Sequence, residues 1–161
     1  MSVSDGSETA ALLDTSIDEL KHGLDELRDL ARGIHPAVLS DRGLEPAVRA
    51  LAARAPVPVA IVGQAAGRLP AAVETAAYFV VSEALTNVSK YAHAAHATVR
   101  VERVDGRLLV EVSDDGVGGA SAANGSGLRG LADRVAALSG TLEVSSPPGH
   151  GTRLRAQLPC K

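Results

Sequence analysis

The stretch Ser82–Ala94, SEALTNVSKYAHA, carries an acid, an amide and a cation on a segment that otherwise consists mostly of small and apolar side chains. Glu83, Asn87 and Lys90 are spaced i, i+4 and i+7, so at about 100° per residue a helix places them within about 60° of one another. A polar stripe on an apolar helix faces either water or a polar ligand. As a ligand site, the carboxylate could accept a proton, the amide oxygen could bind Mg²⁺ and the cation could offset phosphate charge.

The composition of the 161-residue chain excludes several classes of protein. Its 45% hydrophobic and 22% charged residues are typical of a globular domain with a buried core. Aromatic residues make up only 2%, so nucleic-acid bases would have almost nothing to stack on. The net charge of −3 also argues against a nucleic-acid partner. The single cysteine, Cys160, excludes a disulfide framework and a cysteine-rich metal site.

The sequence shows no sign of a membrane segment. No apolar run reaches the roughly 18 residues that span a bilayer, and no signal-peptide pattern opens the chain. We therefore expect a cytoplasmic protein, or the cytoplasmic part of a membrane-bound or soluble sensor.

The N-terminal part predicts a helix with one narrow apolar stripe. Its apolar residues are spaced 4, 3, 4, 3, 4 and 3 over about three heptads, and Gly33 and Pro36 end the pattern. Such a stripe packs either on the chain's own domain or on another helix in an intermolecular bundle. We expect residues 1–36 to form a disordered start followed by this coiled-coil-like helix. The stripe consists of Leu13, Ile17, Leu20, Leu24, Leu27, Ala31 and Ile34.

The remaining patterns predict an α+β fold. Alternating apolar runs at 97–104 and 108–113 flank Asp105-Gly106, which is a strong hairpin signal. A long, mostly apolar helix precedes them at 69–92, with Pro70 suited to its first turn. We expect one mixed sheet covered on one face by helices. The other predicted elements are a connector at 36–43, a short helix at 44–54, a strand at 57–62, a helix at 128–138, and strands at 141–144 and 152–158.

Two glycine-rich segments add candidate ligand contacts. Residues 114–119, DDGVGG, follow an apolar strand, so the first carboxylate could accept a hydrogen bond from an exocyclic amine beside a close-approaching base. Residues 124–130, NGSGLRG, lead into a helix N-terminus, where free N–H groups favour phosphate. Thr152 opens the last strand with a hydroxyl that could reach a ligand. Each segment alone is also compatible with an ordinary turn.

Taken in order, these segments resemble the ATP-binding domain of the GHKL superfamily, whose Bergerat fold is shared by DNA gyrase and sensor histidine kinases. SEALTNVSKYAHA is similar to its N box, DDGVGG to its first glycine box, GSGLRGLADRV to its second, and GTLEVSSPPGHGTRLRAQLP to its closing strands. Within the superfamily the sequence is most similar to histidine kinases paired with helix-turn-helix response regulators. The segment ELRDLARGIHPAVLSDRGLEPAVRAL resembles the end of their dimerisation helix and its link to the ATPase domain.

The resemblance covers about residues 17–160 and implies a two-layer α/β sandwich. It assigns residues 1–36 to the disordered start and the C-terminal part of the dimerisation helix, and residues 37–161 to the ATPase domain. It also implies ATP and Mg²⁺ as cofactors. Glu83 corresponds to the residue that promotes proton removal from the phosphate acceptor, Asn87 to the Mg²⁺ ligand, and Lys90 to a phosphate-contacting base.

The glycine boxes carry the other implied contacts with the nucleotide. Asp114 corresponds to the aspartate that binds adenine, with Gly116 and Gly118 beside it. Thr152 corresponds to a hydroxyl near adenine, and Asp115 stands where many relatives have asparagine. The edge of a mobile lid over the nucleotide corresponds to Gly125, Gly127 and Leu128.

One feature of these kinases is missing from the sequence. Their phosphorylated histidine lies in a motif like E-L-H-D, which neither His22 in ELKHGLDEL nor His35 in ARGIHPAVL matches. We expect the C-terminal piece of a longer kinase, which binds ATP or ADP and does not phosphorylate itself. The expected partners are the dimerisation and phosphoacceptor helices of a homodimeric parent and a response regulator with a helix-turn-helix output domain.

Two other functions stay open at this point. An anti-sigma-factor-type serine/threonine kinase shares the fold. The heptad helix argues against this function, and so does the LRGLADRV segment, which resembles the histidine kinases named above. A binding module that has lost catalysis is the other alternative, and the presence of Glu83 together with Asn87 argues against that.

Overall fold

The computed structural model describes residues 37–63, 67–120 and 126–160, which all fall within the second of two compact units of the chain. The predicted division into residues 1–36 and 37–161 stays a prediction, because its first part is outside the described residues. Also outside them lie three features named above: the heptad helix, the histidines His22 and His35, and Gly125.

Four α-helices and five strands make up the described part of the chain. The helices are α1 (Ala37–Arg42), α2 (Leu44–Ala52), α3 (Ala71–Asn87) and α4 (Ser126–Ala136), and a π-helical turn (Val88–Ala92) continues α3. The strands are β1 (Val59–Val62), β2 (Ala97–Val104), β3 (Arg107–Asp114), β4 (Thr141–Ser145) and β5 (Arg153–Pro159). Of the described helices, none combines the length and the apolar character that crossing a membrane requires.

The five strands form one mixed sheet in the order β1-β2-β3-β5-β4. Strand β1 runs parallel to β2, so the chain between them crosses over through α3 and the π turn. The other three neighbouring pairs are antiparallel. This architecture confirms the predicted α+β fold with a mixed sheet.

Helices cover one face of this sheet, as the alternation of the strands predicted. Every second residue of β2, β3 and β5 is buried, and α3 packs its own apolar residues against these rows. Fully burying side chains of this size contributes roughly 1.5–3 kcal/mol each. The opposite face carries paired charged positions, with Arg100 opposite Glu111, and Arg155 opposite both Glu111 and Glu143. The buried rows are Ala97, Val99 and Val101; Leu108, Val110 and Val112; and Leu154, Ala156 and Leu158.

Two local predictions were wrong. Residues 36–43 were expected to form a connector, but α1 lies there, because burial of Leu39 (1% exposed) favours a helix until Gly43 adopts φ +83°. Pro70 was expected within the first helical turn, but its φ of −52° and ψ of 134° place it just before α3. Its carbonyl oxygen still accepts the first hydrogen bonds of that helix.

A buried carboxylate joins the start of α3 to α1. Glu74 is 2% exposed, its Oε1 accepts a hydrogen bond from the Leu69 N–H at 3.1 Å, and its Oε2 lies 3.2 Å from Arg68 Nη2. Arg68 Nη1 in turn donates to the Ser40 carbonyl at 3.1 Å. The apolar pattern of this helix gave no sign of such a network, because an acidic residue in a first turn usually faces water.

We predict that Glu74→Ala lowers the free energy of unfolding by about 2–4 kcal/mol, because it leaves the Leu69 N–H without an acceptor and opens a cavity. Glu74→Gln keeps an acceptor oxygen and should lose less. Urea unfolding measures both.

The matched control is Glu45→Ala, which breaks an exposed helical ion pair with Arg49 (2.8 Å) and should change stability by less than about 0.5 kcal/mol. Equal losses for Glu74→Ala and Glu45→Ala would contradict the role of the buried network.

Candidate functional site

Two polar residues continue the buried rows of the sheet beyond its core. Strand β3 points Leu108, Val110 and Val112 towards the helices, and the same alternation leads next to Asp114. The buried row of β5 continues, two residues before Leu154, with Thr152. The Thr152 carbonyl oxygen accepts a hydrogen bond from the Asp114 N–H at 2.9 Å. Residues directly opposite on antiparallel strands have Cβ atoms about 4.5–5.5 Å apart on the same face. Asp114 and Thr152 therefore lie side by side, on the helix-covered side, where the sheet ends.

The Asp114 carboxylate is half-buried and only partly used by the protein. Its Oδ1 accepts a hydrogen bond from the Gly116 N–H at 2.9 Å, which closes a tight turn after β3. Its Oδ2 makes no hydrogen bond to any residue of the described ranges. A carboxylate held in one orientation with a free oxygen is suited to accept a hydrogen bond from a ligand.

The loop after Asp114 is held on two sides by backbone contacts. On one side the Val117 N–H donates to the Ala92 carbonyl at 2.8 Å, and a Cβ on Gly116 would overlap that same oxygen. On the other side the Gly151 N–H donates to the Gly116 carbonyl at 2.8 Å. Gly118 has φ +66°, a conformation that disfavours other residues. The end of the π turn and the β4–β5 connection thus enclose the DDGVGG loop.

The polar stripe of α3 ends at the π turn. Glu83 and Asn87 are half-buried and lie one helical turn apart, about 6 Å along the helix axis. Asn87 is the last residue of α3, and Lys90 lies exposed within the π turn. Bonds from i to i+5 turn the chain through a smaller angle per residue, so the 60° spread calculated for a continuous α-helix does not apply to Lys90. Single π turns occur often at functional sites.

The second glycine segment leads into a helix, as expected. Helix α4 begins at Ser126, with Gly127 and Leu128 in its first turn, while Gly125 lies outside the described residues. The half-buried Leu128 packs against the core. Farther along α4, Arg134 lies over the Phe79 ring of α3, with 4.3 Å between its guanidinium carbon and the ring centroid. These contacts connect α4 to the core and to α3, the helix that carries Glu83 and Asn87.

The structure adds a carboxylate contact that the sequence analysis did not identify. Asp115 Oδ1 accepts hydrogen bonds from the backbone N–H groups of Ala95 (2.8 Å) and His96 (2.9 Å), and Oδ2 lies 3.2 Å from His96 Nδ1. The pKa of the Asp115 carboxyl is lowered, chiefly by the hydrogen bond from the His96 backbone N–H. The second aspartate therefore ties the turn after the π segment to the end of β3. Its position beside a glycine was the only sequence signal for this role.

Ser146 is a second contact that the sequence did not indicate. Its carbonyl oxygen accepts from the Gly119 N–H at 2.9 Å, and its Oγ accepts from the Ala120 N–H at 2.9 Å. The same Oγ lies 2.8 Å from Thr152 Oγ1. The segment SSPPG resembles an ordinary polar turn, so nothing in the sequence distinguished this serine from its neighbours.

We predict that Gly116→Ala destabilises the chain by about 1–3 kcal/mol, because the new Cβ overlaps the Ala92 carbonyl and forces the loop away from the π turn. Gly130→Ala is the matched control, because no described atom lies within 4 Å of its Cβ position in the exposed part of α4. Removing this helical glycine should stabilise by roughly 0.5–1 kcal/mol. Thermal unfolding of both variants measures the difference, and a Gly116→Ala chain as stable as wild type would contradict the close approach.

Comparison with known proteins places these segments in a family. A family model described as histidine kinase-, DNA gyrase B- and HSP90-like ATPase matches residues 72–161. The sensor histidine kinase MctS of Rhizobium johnstonii is 34% identical over 165 residues, which cover 94% of this chain and 35% of that protein. The oxygen sensor histidine kinase NreB of Staphylococcus carnosus is 30% identical over 145 residues, which cover 84% of this chain and 42% of that protein.

A solved structure agrees with these relatives. The histidine kinase domain of the blue-light activated histidine kinase of Erythrobacter litoralis EL346 is 25% identical, with a TM-score of 0.56, over 71% of this chain and 56% of that chain. The chain thus spans well under half the length of the two sensor kinases named above. The family match contains α3, the π turn, the DDGVGG loop, α4 and the last two strands. The chain belongs to the histidine kinase-, DNA gyrase B- and HSP90-like ATPase family.

Proposed function

We propose that this chain binds ATP with Mg²⁺ and is the catalytic ATP-binding part of a sensor histidine kinase. The observation that carries the proposal is the pair Asp114 and Thr152, which end the buried rows of the sheet beside the π turn that follows Asn87. An acceptor and a hydroxyl at one end, and an acid and an amide along the adjoining helix, suit a ligand with a flat polar base and a charged tail. The names of the relatives favour a histidine kinase over the serine/threonine kinase of the same fold.

The base end would be formed by the sheet. The free Oδ2 of Asp114 would accept a hydrogen bond from the exocyclic amine of adenine, while Oδ1 stays on the Gly116 N–H. Guanine presents a carbonyl oxygen at the equivalent ring position, and a carboxylate would repel it. Gly116 and Gly118 would let the base approach the backbone, and the Thr152 hydroxyl would contact its ring.

The phosphate end would be formed by α3 and the π turn. Mg²⁺ in nucleotide sites is bound through one or two protein oxygens together with phosphates and waters. The described residues fit that chemistry, because the half-buried Asn87 is an amide residue at the last position of α3. Asn87 would supply a neutral amide oxygen to the ion, and Lys90 would offset phosphate charge.

The start of α4 would complete the site. Its first-turn N–H groups have no helical partners and carry a partial positive charge, which suits phosphate oxygens. Gly127 lets the backbone approach, and Leu128 fixes the turn by packing against the core. Gly125 would extend this edge of the site, in keeping with the sequence resemblance.

The reaction would transfer the γ-phosphoryl group of ATP to a histidine on the parent kinase. Glu83 would accept the proton of the acceptor imidazole or orient the ring, and the remaining catalysis would be positioning and charge neutralisation. The dimerisation and phosphoacceptor helices of a homodimeric, cytoplasmic parent region would supply that histidine. A response regulator with a helix-turn-helix output domain would receive the phosphoryl group next. The kinase names of the relatives support the first step, and the sequence resemblance supports the partners.

We predict that Asp114→Asn weakens ADP binding about 10- to 100-fold, because the amine of adenine would lose a charged acceptor. Isothermal titration calorimetry with ADP and Mg²⁺ measures the change. Asn keeps an acceptor for the Gly116 N–H, so the variant should fold.

The matched control is Asp105→Asn in the turn at the opposite end of β3, where φ is +49° and asparagine is well tolerated. This variant should bind ADP as wild type does. Unchanged ADP affinity in Asp114→Asn would remove the base-binding role of Asp114.

We predict that Glu83→Gln lowers the rate of phosphoryl transfer about 10²- to 10⁴-fold while ADP affinity changes less than about two-fold, because only the proton acceptor is lost. The assay supplies a separate fragment with the dimerisation and phosphoacceptor helices of a sensor kinase, and follows acid-labile label from γ-labelled ATP.

Glu143→Gln, an exposed change on β4, serves as the control and should transfer at the wild-type rate. If Glu83→Gln transfers as fast as wild type, Glu83 is not the proton acceptor. If the wild-type chain binds ADP but transfers to no acceptor fragment, the kinase assignment is contradicted.

A further inference from the structure

The hydroxyl of Ser146 occupies a position between two parts of the candidate site. Its Oγ accepts a hydrogen bond from the Ala120 N–H at 2.9 Å, and it lies 2.8 Å from Thr152 Oγ1 and 3.5 Å from the Gly151 carbonyl. Ser146 and Thr152 are both only half-buried, so a ligand can reach this place from the solvent side. All three contacts therefore lie where the β4–β5 connection meets the candidate site.

Counting protons leaves two arrangements of these hydrogen bonds. A serine hydroxyl has one proton to donate and two lone pairs to accept with. The Ala120 N–H uses one lone pair. In the first arrangement the Ser146 proton goes to Thr152 Oγ1; in the second it goes to the Gly151 carbonyl, and Thr152 donates to the other lone pair. The distance of 2.8 Å to Thr152 is that of a normal O–H···O hydrogen bond, whereas 3.5 Å to the Gly151 carbonyl exceeds the usual range. A ligand that accepts a hydrogen bond from Thr152 selects the first arrangement, in which the Ser146 proton lies in the shorter contact.

The arrangement decides what Thr152 can offer to a ligand. When Thr152 Oγ1 accepts the proton of Ser146, its own proton is free and can point away from Ser146. A free hydroxyl donor beside the acceptor oxygen of Asp114 forms an acceptor–donor pair. Adenine presents the complementary pair, an amine donor next to a ring nitrogen that accepts. Hypoxanthine carries a proton on that ring nitrogen and does not complement the pair.

We propose that Ser146 is a positioning residue for nucleotide recognition, which directs the Thr152 hydroxyl proton towards an acceptor nitrogen of the bound adenine. The inference rests on the proposed nucleotide function and adds a specificity determinant to it. Ser146 acts through Thr152 and does not itself contact the base. Its second contact, with the Ala120 N–H, occupies one lone pair of the Ser146 oxygen and holds the hydroxyl in place.

A double-mutant cycle on ADP binding tests the proposal, using the full chain with Mg²⁺ and titration calorimetry. Ser146→Ala should weaken ADP binding about five- to ten-fold, and Thr152→Val about ten-fold. The double variant should bind as Thr152→Val alone does, because Ser146 then has no hydroxyl to direct. Ser146→Thr, which keeps a hydroxyl, should recover most of the affinity.

A merely structural role of Ser146 would give different results. The effects of the two substitutions on ADP affinity would then be additive, and Ser146→Ala would lower the affinity for IDP by the same factor as that for ADP. Either result overturns the proposal, as does an unchanged ADP affinity in Ser146→Ala. If Ser146→Ala does not fold, Ser146→Cys, whose thiol is only a weak donor, replaces it in the cycle.

The experiment separates this proposal from the proposed function. If the wild-type chain does not bind ADP, the proposed function fails. If the wild-type chain binds ADP and Asp114→Asn weakens that binding, but the cycle is additive, only the role of Ser146 fails.

Discussion

The site depends on the close approach of three backbone segments at one end of the sheet. Gly116 lies so near the Ala92 carbonyl that no side chain fits between them, and its own carbonyl accepts the Gly151 N–H. Since Ala92 ends the π turn after α3 and Gly151 precedes β5, this contact fixes the helix layer against the strand ends. Without it, the polar residues of α3 and those of the sheet would belong to separate surfaces.

The chemistry of the site follows from where the apolar rows of the sheet stop. Along β3 and β5 the residues under the helices are apolar until Asp114 and Thr152, where the rows turn polar. A polar side chain in this place must find a partner, because burial without a hydrogen bond is costly. The protein satisfies one oxygen of Asp114, and it places the Ser146 hydroxyl 2.8 Å from that of Thr152. The second oxygen of Asp114 and the hydroxyl of Thr152 are available to a ligand. The polar end of a packed sheet thereby forms a recognition surface.

Much of this arrangement could be predicted from the sequence, because its signals are local. The alternation of apolar residues predicted strands β2 and β3, and the glycines of the DDGVGG loop predicted the turn. The π turn could not be predicted, since the apolar pattern continues smoothly from Asn87 to Ala92, and the α-helical angle assumed for Lys90 does not hold there. Residues with long-range partners were also missed. The contacts of Glu74 and of Ser146 depend on segments that approach only in the folded chain, and no local pattern identifies them.

The most direct test of the account is a ¹H–¹⁵N NMR titration of the chain with ADP and Mg²⁺. The account predicts that residues 87–92, 114–118 and 151–152 shift together with one common binding curve, whereas the Asp105-Gly106 turn does not respond. GDP with Mg²⁺ at the same concentrations should leave these three segments nearly unchanged. Shifts confined to one segment, separate binding curves for the helix and the strand ends, or an equal response to GDP would contradict a single adenine nucleotide site.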